Sequence, residues 1–530
     1  MAKSKFASMD FDFSTDMSSE SAREIKDQPF QILILGDFSG RSNQKRFEPA
    51  SIGTRGTFPL NRDNVDKIPK ELAVELQISV RDDPDAPGLS VAFRELNDFH
   101  PDHLFESVDE FRVLRRLRRD LMNRATFAAA AREMADWGTA SSPAVTEPAK
   151  PVPAESPAAG GDAETLTGAS LLNAALAATK GSSPTRIPLP SRGKSKEEMQ
   201  VDELVREALR PFATVAAQDP RQPQLVASVD SAISKLMARL LHHPAFQELE
   251  ANWRSLKLLT RRLEIGEQLQ IHYVDVSKEE LQADLNLAES TGQCGYQSLV
   301  RPGSTGGSPW SMILGCYTFG PTTDDVLMLT RLAQISRLAR VPFCAAAYST
   351  MVGCNSFGTK SSDVNDWKSP MSDDVQKGWN ELRNSADAAY LALVLPRFLL
   401  RTPYGKEGGK TTTFAFEEIS SPRRHENFLW GNSAFLSVCG LASQFSGEGG
   451  WNPDEMNEFE NLPMYIYTDD DGESQILPCA ETLLWDRAAK RISEQGLVAV
   501  CSIRGRDAVQ VNRLQSVAAD GRALAGRWNR

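Results

Sequence analysis

Several short strings carry residue types whose spacing could do chemistry. Gly36-Asp37-Phe38-Ser39-Gly40-Arg41 follows an apolar run, where a phosphate-binding loop would sit. Such a loop needs the pattern G-x-x-x-x-G-K-[ST], with the Lys reaching the phosphates. Here Gly36 and Gly40 are four apart and no Lys-Ser/Thr follows, so the string reads as a tight turn. His100 and His103 could share one helical face as metal ligands, but the sequence identifies no third ligand. His242 and His243 precede Pro244 and read as a helix junction. Asp469-Asp470-Asp471-Gly472 resembles the start of a calcium loop. Tyr467 in the first position and Pro478 in the twelfth break that pattern, which leaves a solvated hairpin tip. The Gly353–Gly358 string is not G-x-S-x-G, and six scattered His supply no triad. No catalytic residue, cofactor or metal is therefore expected, and no enzyme. Arg112, Arg115, Arg116, Arg118 and Arg119 line one helix, as a solvated face or as a basic patch for a partner.

The elements that position these strings follow from periodicity. Gln31–Leu35 is an apolar run ending at Gly36, which predicts a buried strand and a turn. Val74–Val80 alternates, and Leu89, Val91 and Phe93 alternate again after turn signals, which predicts a hairpin. His100-Pro101-Asp102 opens a helix carrying Leu104, Val108, Phe111, Leu114, Leu117 and Leu121 as one apolar stripe. The first 137 residues thus read as a compact α+β domain. Residues 139–192 are rich in Ala, Pro, Ser and Gly without an aromatic residue, a linker composition. Within it, 166–179 is apolar enough for a short amphipathic helix that docks on a partner.

Beyond residue 203, helical periodicity runs through Ile233 and Leu241 and restarts after His243-Pro244. Strand-like runs at Ile271–Val276, Ser311–Gly315, Phe343–Tyr348 and Leu391–Leu395 alternate with helices such as Thr323–Ala339. Met464–Pro478 reads as a hairpin around Asp471-Gly472. The expected architecture is α/β (α+β): two sheet-containing domains joined by a long disordered Ala/Pro/Ser-rich linker. Its boundaries are a tail at 1–28, a first domain at 29–138, the linker at 139–202 and a second domain at 203–530.

Bulk properties narrow the function classes. With 530 residues and 41% hydrophobic content the chain can bury a large core. A net charge of −11 argues against coating nucleic acid, which needs a basic face. Seven cysteines, an odd number without a C-x-x-C pair, read as buried reduced thiols. The polar, acidic start has no signal-peptide core, and no apolar run is long enough to insert in a membrane. Work in the cytoplasm is expected.

The peculiar strings carry a resemblance. Pro29–Arg41, with Gly36, Asp37, Phe38, Gly40 and Arg41, resembles the G-D-F-[ST]-G-R start of the small sheath protein of type VI secretion systems. Phe93–Asp102 is similar to that family's F-R-x-L-x-D-F-x-P-D stretch, and Arg62–Asp66 to a further element. Leu241–Leu256, with His242, His243, Pro244 and Trp253, resembles the L-H-H-P-x-F-Q-x-L-E-A-x-W-R-G-L of the large sheath protein, with Ser255 in place of Gly. Also similar to it are Leu395–Gly405, with Pro396, Arg397, Pro403, Tyr404 and Gly405, and Phe428–Ala434, with Trp430, Gly431 and Asn432. The first resemblance covers roughly 29–137 and the second roughly 203–506.

The resemblance implies a structural, non-catalytic role in a contractile sheath, with small-subunit-like and large-subunit-like parts fused in one chain. Implied partners are other sheath subunits, with an inner-tube protein, a baseplate and a ClpV-type AAA+ unfoldase as further ones; no nucleic acid is implied. Leu171, Leu172 and Leu176 would be the anchors of an unfoldase-docking segment. In that family the two proteins are separate chains, and the large one continues beyond the part matching Cys501–Asp507. The alternative reading is therefore an accessory or capping protein that binds sheath or baseplate without polymerising.

Overall fold

A computed structural model describes residues 28–79, 88–139, 219–301, 308–358, 364–369, 371–420, 424–446, 457–469 and 471–528. The expected tail at 1–28 and linker at 139–202, except one residue of each, lie outside these, as do the 166–179 segment and Leu171, Leu172 and Leu176. The chain forms two compact units. One holds the residues up to Val108 and from Met237 onward; the other runs from Asp109 to Leu236.

The first unit opens with β1 (Phe30–Gly36), buried at every position. A strand apolar on both faces needs cover on both, as central strands of parallel sheets have. The short β2 (Phe58–Leu60) and α1 (Ile68–Glu71) follow. β3 (Val74–Ile78) and β4 (Leu89–Phe93) pair antiparallel, Val74 opposite Phe93, as their alternation predicts. α2 (Pro101–Ser107) comes next.

The described residues of the second unit form helices: α3 (Asp109–Met122), α4 (Phe127–Thr139) and α5 (Gln222–Leu241) as far as Leu236. The single helix expected from Pro101 to Leu121 is in fact α2 and α3. Buried Val108 breaks it with an extended backbone (ψ 129°), while its N–H still closes the last turn on Leu104 O. Asp109 and Glu110 then favour a new helix N-terminus electrostatically. The apolar spacing runs through the break, which is why periodicity alone does not reveal it.

The first unit resumes with α6 (Pro244–Arg262), β5 (Leu269–Asp275), α7 (Lys278–Thr291), α8 (Gly295–Val300), β6 (Met312–Phe319) and α9 (Thr323–Ala339). β7 (Phe343–Ala347), α10 (Asp373–Asn384), β8 (Leu391–Leu395), β9 (Phe398–Leu399), β10 (Trp430–Gly431) and α11 (Ala434–Ser446) follow. Last come β11 (Asn457–Phe459), the hairpin β12 (Tyr465–Thr468) and β13 (Ser474–Leu477), α12 (Asp486–Glu494), β14 (Val498–Ser502) and β15 (Val509–Val511). Every strand and hairpin expected from periodicity is present.

Nine strands make one sheet in the order β11-β15-β14-β8-β7-β6-β1-β5-β2. β1 runs parallel between β5 and β6, with Ile32 opposite Ile271 on one side and Met312 on the other. The α/β class holds, and each expected segment contributes strands, but the main sheet is shared: β1 and β2 of the first segment complete the sheet of the second. Leu33 and Leu35 belong to the same apolar cluster as Val274, Ile313, Phe343 and Leu393.

Residues after β15 run back along the strand starts. The Val517 N–H donates to Leu391 O, and Ala525 to Ala389 O. The Arg527 guanidinium donates to Pro29 O and Ser311 Oγ, and the Trp528 ring stacks on Phe30 at 6.3 Å.

Candidate functional site

The loop after β1 has its backbone donors occupied by carboxylates of the chain itself. Phe38 and Ser39 N–H groups donate to Asp275 Oδ1 at 2.8 and 3.1 Å, and the Ser39 hydroxyl to Oδ2 at 2.6 Å. Arg41 and Ser42 N–H groups donate to the Asp37 carboxylate at 2.7 and 2.8 Å. These are the donors a phosphate would need. The turn requires Gly40 in the left-handed region (φ +78°), where a Cβ would lie 2.6 Å from Glu75 O. Gly36 serves a different need: its Cβ would sit 2.8 Å from that of Cys316 on β6, so β1 and β6 could not approach as they do. Burial pushes the Asp37 carboxyl above its ordinary range.

α6 brings the second segment onto this loop. The Trp253 indole N–H donates to Phe38 O at 3.0 Å and Asn252 Nδ2 to Asp37 O at 3.2 Å. The Trp253 and Phe38 rings meet edge-on at 5.8 Å. Phe93 and Phe99 stack on each other at 4.2 Å, and both meet Phe246 of α6 edge-on.

Arg41 extends from the loop to Glu280, a fully buried carboxylate in the first turn of α7. Arg41 Nε and Nη2 each lie 2.8 Å from a different Glu280 oxygen, and Arg55 Nη2 donates at 2.7 Å. The Glu48 N–H adds a donor at 2.8 Å and Ser277 completes a capping box. Burial alone would raise the Glu280 carboxyl; the two guanidiniums and these N–H groups hold it well below the usual range. Glu280 in turn raises Arg41.

The strings of the second segment build two further networks. Arg401 bridges buried Glu250 (2.9 Å) and Glu418 (2.7 Å), and Arg254 also donates to Glu250 at 2.7 Å. The Tyr404 N–H donates to Glu418 at 2.7 Å, and its ring lies under the Arg401 guanidinium at 4.3 Å. Pro403 O accepts from Gly409 N–H, and Gly405 (φ +150°) leaves a Cβ no room against Glu417. Arg397, after the cis Leu395–Pro396 peptide, is held to Glu481 by Nε (2.9 Å) and Nη2 (2.6 Å). His425 Nε2 is 3.0 Å from the same carboxylate, and Trp430 stacks on the His425 ring. Against burial, which would raise it, Arg397 and His425 hold the Glu481 carboxyl down to about 2. Gly431 leaves space for Leu400, while Asn432 Nδ2 donates to Gly315 O and Tyr317 O, where β6 shifts register against β7.

The two His-Pro strings do matching work as helix starts. His100 Nδ1 accepts from the Asp102 N–H at 3.2 Å, and His243 Nδ1 from the Ala245 N–H at 3.3 Å. Burial lowers the pKa of both rings, which keeps them neutral acceptors, and lowers that of His242 as well. Asp102 accepts from the N–H and hydroxyl groups of Thr412 and Thr413 at 2.6 to 3.1 Å. These donors outweigh its burial and hold it at about 2.

Six cysteines are buried and Cys501 is half-buried, all as free thiols; burial pushes Cys439, Cys479 and Cys501 up to about 11. Among the described residues no cluster of His, Cys, Asp and Glu is arranged to hold a metal ion, and no helix is long and apolar enough to cross a membrane.

The positions singled out in sequence thus fall into an interlock between the chain's first and second segments, carried by Asp37, Phe38, Arg41 and Trp253, and into networks internal to the second segment around Arg397 and Tyr404. Phe38 meets Trp253, Gly36 faces Cys316 and Arg41 reaches Glu280, while Gly40 shapes the turn that presents them. The partners Glu280, Arg55, Asp275, Glu250 and Glu418 carried no warning beyond Ser277-x-x-Glu280, a readable capping box. Each carboxylate is met by guanidiniums or by N–H and O–H donors, so the arrangement holds segments together.

Comparison with known proteins fits this geometry. Residues 223–518 match the family described as VipB, EvpB/VC_A0108, tail sheath N-terminal domain. Residues 11–136 match the family described as type VI secretion system, VipA, VC_A0107 or Hcp2. The type VI secretion system sheath protein TssC1 of Pseudomonas aeruginosa is 28% identical over 331 residues, 60% of this chain. The match spans 66% of that relative's length.

Proposed function

Since the chain belongs to the tail sheath family of type VI secretion systems, we propose that it works as a fused sheath subunit: a structural protein that assembles with copies of itself or other sheath subunits around an inner tube. One observation carries this reading. β1 of the small-subunit-like part is hydrogen-bonded on both edges by strands of the large-subunit-like part, so a single chain builds the joint fold. The buried Arg41 and Arg55 pairs with Glu280 join the two parts, and work would be done by rearranging interfaces between subunits rather than by catalysis. Its place is the cytoplasm, with the baseplate as a docking platform and the 166–179 segment, through Leu171, Leu172 and Leu176, as the docking peptide for a ClpV-type unfoldase. On this reading the segments at 29–138 and 203–530 are one functional body tied by the 139–202 linker.

A second reading, a sheath-like cap or accessory, has its own observation. Both outer strands of the large sheet, β2 and β11, are three residues long, and β2 carries Pro59, which lacks an N–H. Such edges are poor templates for adding a further strand. Negative-stain electron microscopy of the full chain, alone and with inner-tube protein, separates the two. Long hollow tubes support the subunit; monomers or small closed oligomers under every condition overturn it in favour of the cap.

A further inference from the structure

Two features lie outside the interlock, and they complement each other. The first is the β12–β13 hairpin. Tyr465, Tyr467 and Leu477 pack with a small cluster around Phe428 and Trp430. The opposite face is open: Ile466 and Ile476 are directly paired across the strands and are 49% and 53% exposed, beside exposed Thr468 and Ser474. The turn beyond carries exposed Asp471 and Glu473 and half-buried Asp469, with Gly472 at φ +83°. A two-stranded ribbon with an apolar outer pair and an acidic tip is an unfinished surface.

The second feature is the outer face of α3. Arg112, Arg115, Arg119 and Met122 follow one another at spacings of three, four and three, so they line one face. Met122 is 57% exposed. Among the described residues Arg112 and Arg119 pair with their own neighbours Asp109 and Asp120, and their side chains remain 72% and 77% exposed. Exposed pairs of this kind are worth little, so these guanidiniums are free to be re-paired.

We propose that the open face of the β12–β13 hairpin docks on the Arg/Met face of α3 in a second copy of this chain. Ile466 and Ile476 would cover Met122, while Asp471 and Glu473 meet Arg112 and Arg119. The partner is a second copy because one chain carries both an acidic apolar face and a basic apolar face. A contact between two different patches is heterologous, and a heterologous contact repeats head to tail. The inference rests on the sheath-subunit reading and names a surface by which copies would add to one another.

The test is self-association of the full chain, by sedimentation velocity over a range of concentrations and by electron microscopy. Variants are Asp471→Lys with Glu473→Lys, Arg112→Glu with Arg119→Glu, all four together, and Ile466→Ser with Ile476→Ser. All these positions are exposed, so the fold tolerates the changes. Each single-face reversal is expected to weaken association about tenfold or more. The fourfold variant should return to near wild-type strength, and the serine pair should weaken association without altering its salt dependence. Reversals without effect, or a fourfold variant that fails to recover, overturn the proposal. Tubes that persist through every variant overturn this contact while leaving the sheath reading intact; a wild-type chain that stays monomeric overturns both.

Discussion

Arginine does opposite work in the two units. Arg41 and Arg401, in the first, each have side chains only 10% exposed and are clamped on carboxylates that water does not reach. Arg112 and Arg119, in the second, stand in solvent, Arg112 beside an open Asp109 and Arg119 beside a half-buried Asp120. A buried pair gains little over well-packed apolar residues, yet removing one member strands a charge. A surface pair can be lost or exchanged with small effect. Arg41 therefore ties the first segment to the second through Glu280, and Arg401 braces the second segment from within; the second arrangement leaves charge available to a partner.

The contrast is broken hardest at Glu280. Glu280→Ala leaves Arg41 and Arg55 buried without their carboxylate and should cost about 3–5 kcal/mol in urea unfolding. A loss below ~1 kcal/mol would mean that water hydrates the site and that the network does not specify the pairing. Next is Gly36→Ala, whose new Cβ would meet Cys316 at 2.8 Å. Overpacking there should cost about 1–3 kcal/mol, read in the same titration. Acid sharpens the comparison further. Glu481 sits at about 2, below its ordinary value of 4.5, and Glu250 and Glu280 are also lowered. A depressed folded-state pKa gives stability that is complete above the unfolded value and lost as pH falls towards the folded one. Melting temperatures should thus fall between about pH 4.5 and 2, and Glu481→Gln should flatten part of that slope. The smallest effect belongs to the second unit: Arg112→Ala should change unfolding free energy by no more than about 0.5 kcal/mol. A larger loss would erase the distinction.

The strands were legible because burial writes period and length into sequence. Gln31–Leu35 and Leu391–Leu395 could only be core strands, and His-Pro marked two helix starts. The neighbours of β1 were not legible. An apolar run that is buried on both faces carries no sign of which strands flank it, and here they lie at Leu269 and Met312. The helix break at Val108 was hidden because an apolar residue fits both a stripe and a buried kink. Of the site, the glycines and Arg41 stood out, but their partners did not: a charge gives no sign of the charge it meets more than two hundred residues away.

The clasp of Arg527 and Trp528 on Pro29 and Phe30 has a consequence for synthesis. The ribosome makes β1 well before β5, its first flanking strand, which emerges about 240 residues later, on the order of 20 seconds at typical elongation rates. The residues that close over its start arrive later still. Until β5 and β6 have been made, an apolar strand has no partner on either edge, so the nascent chain of this protein should be a client for holding chaperones.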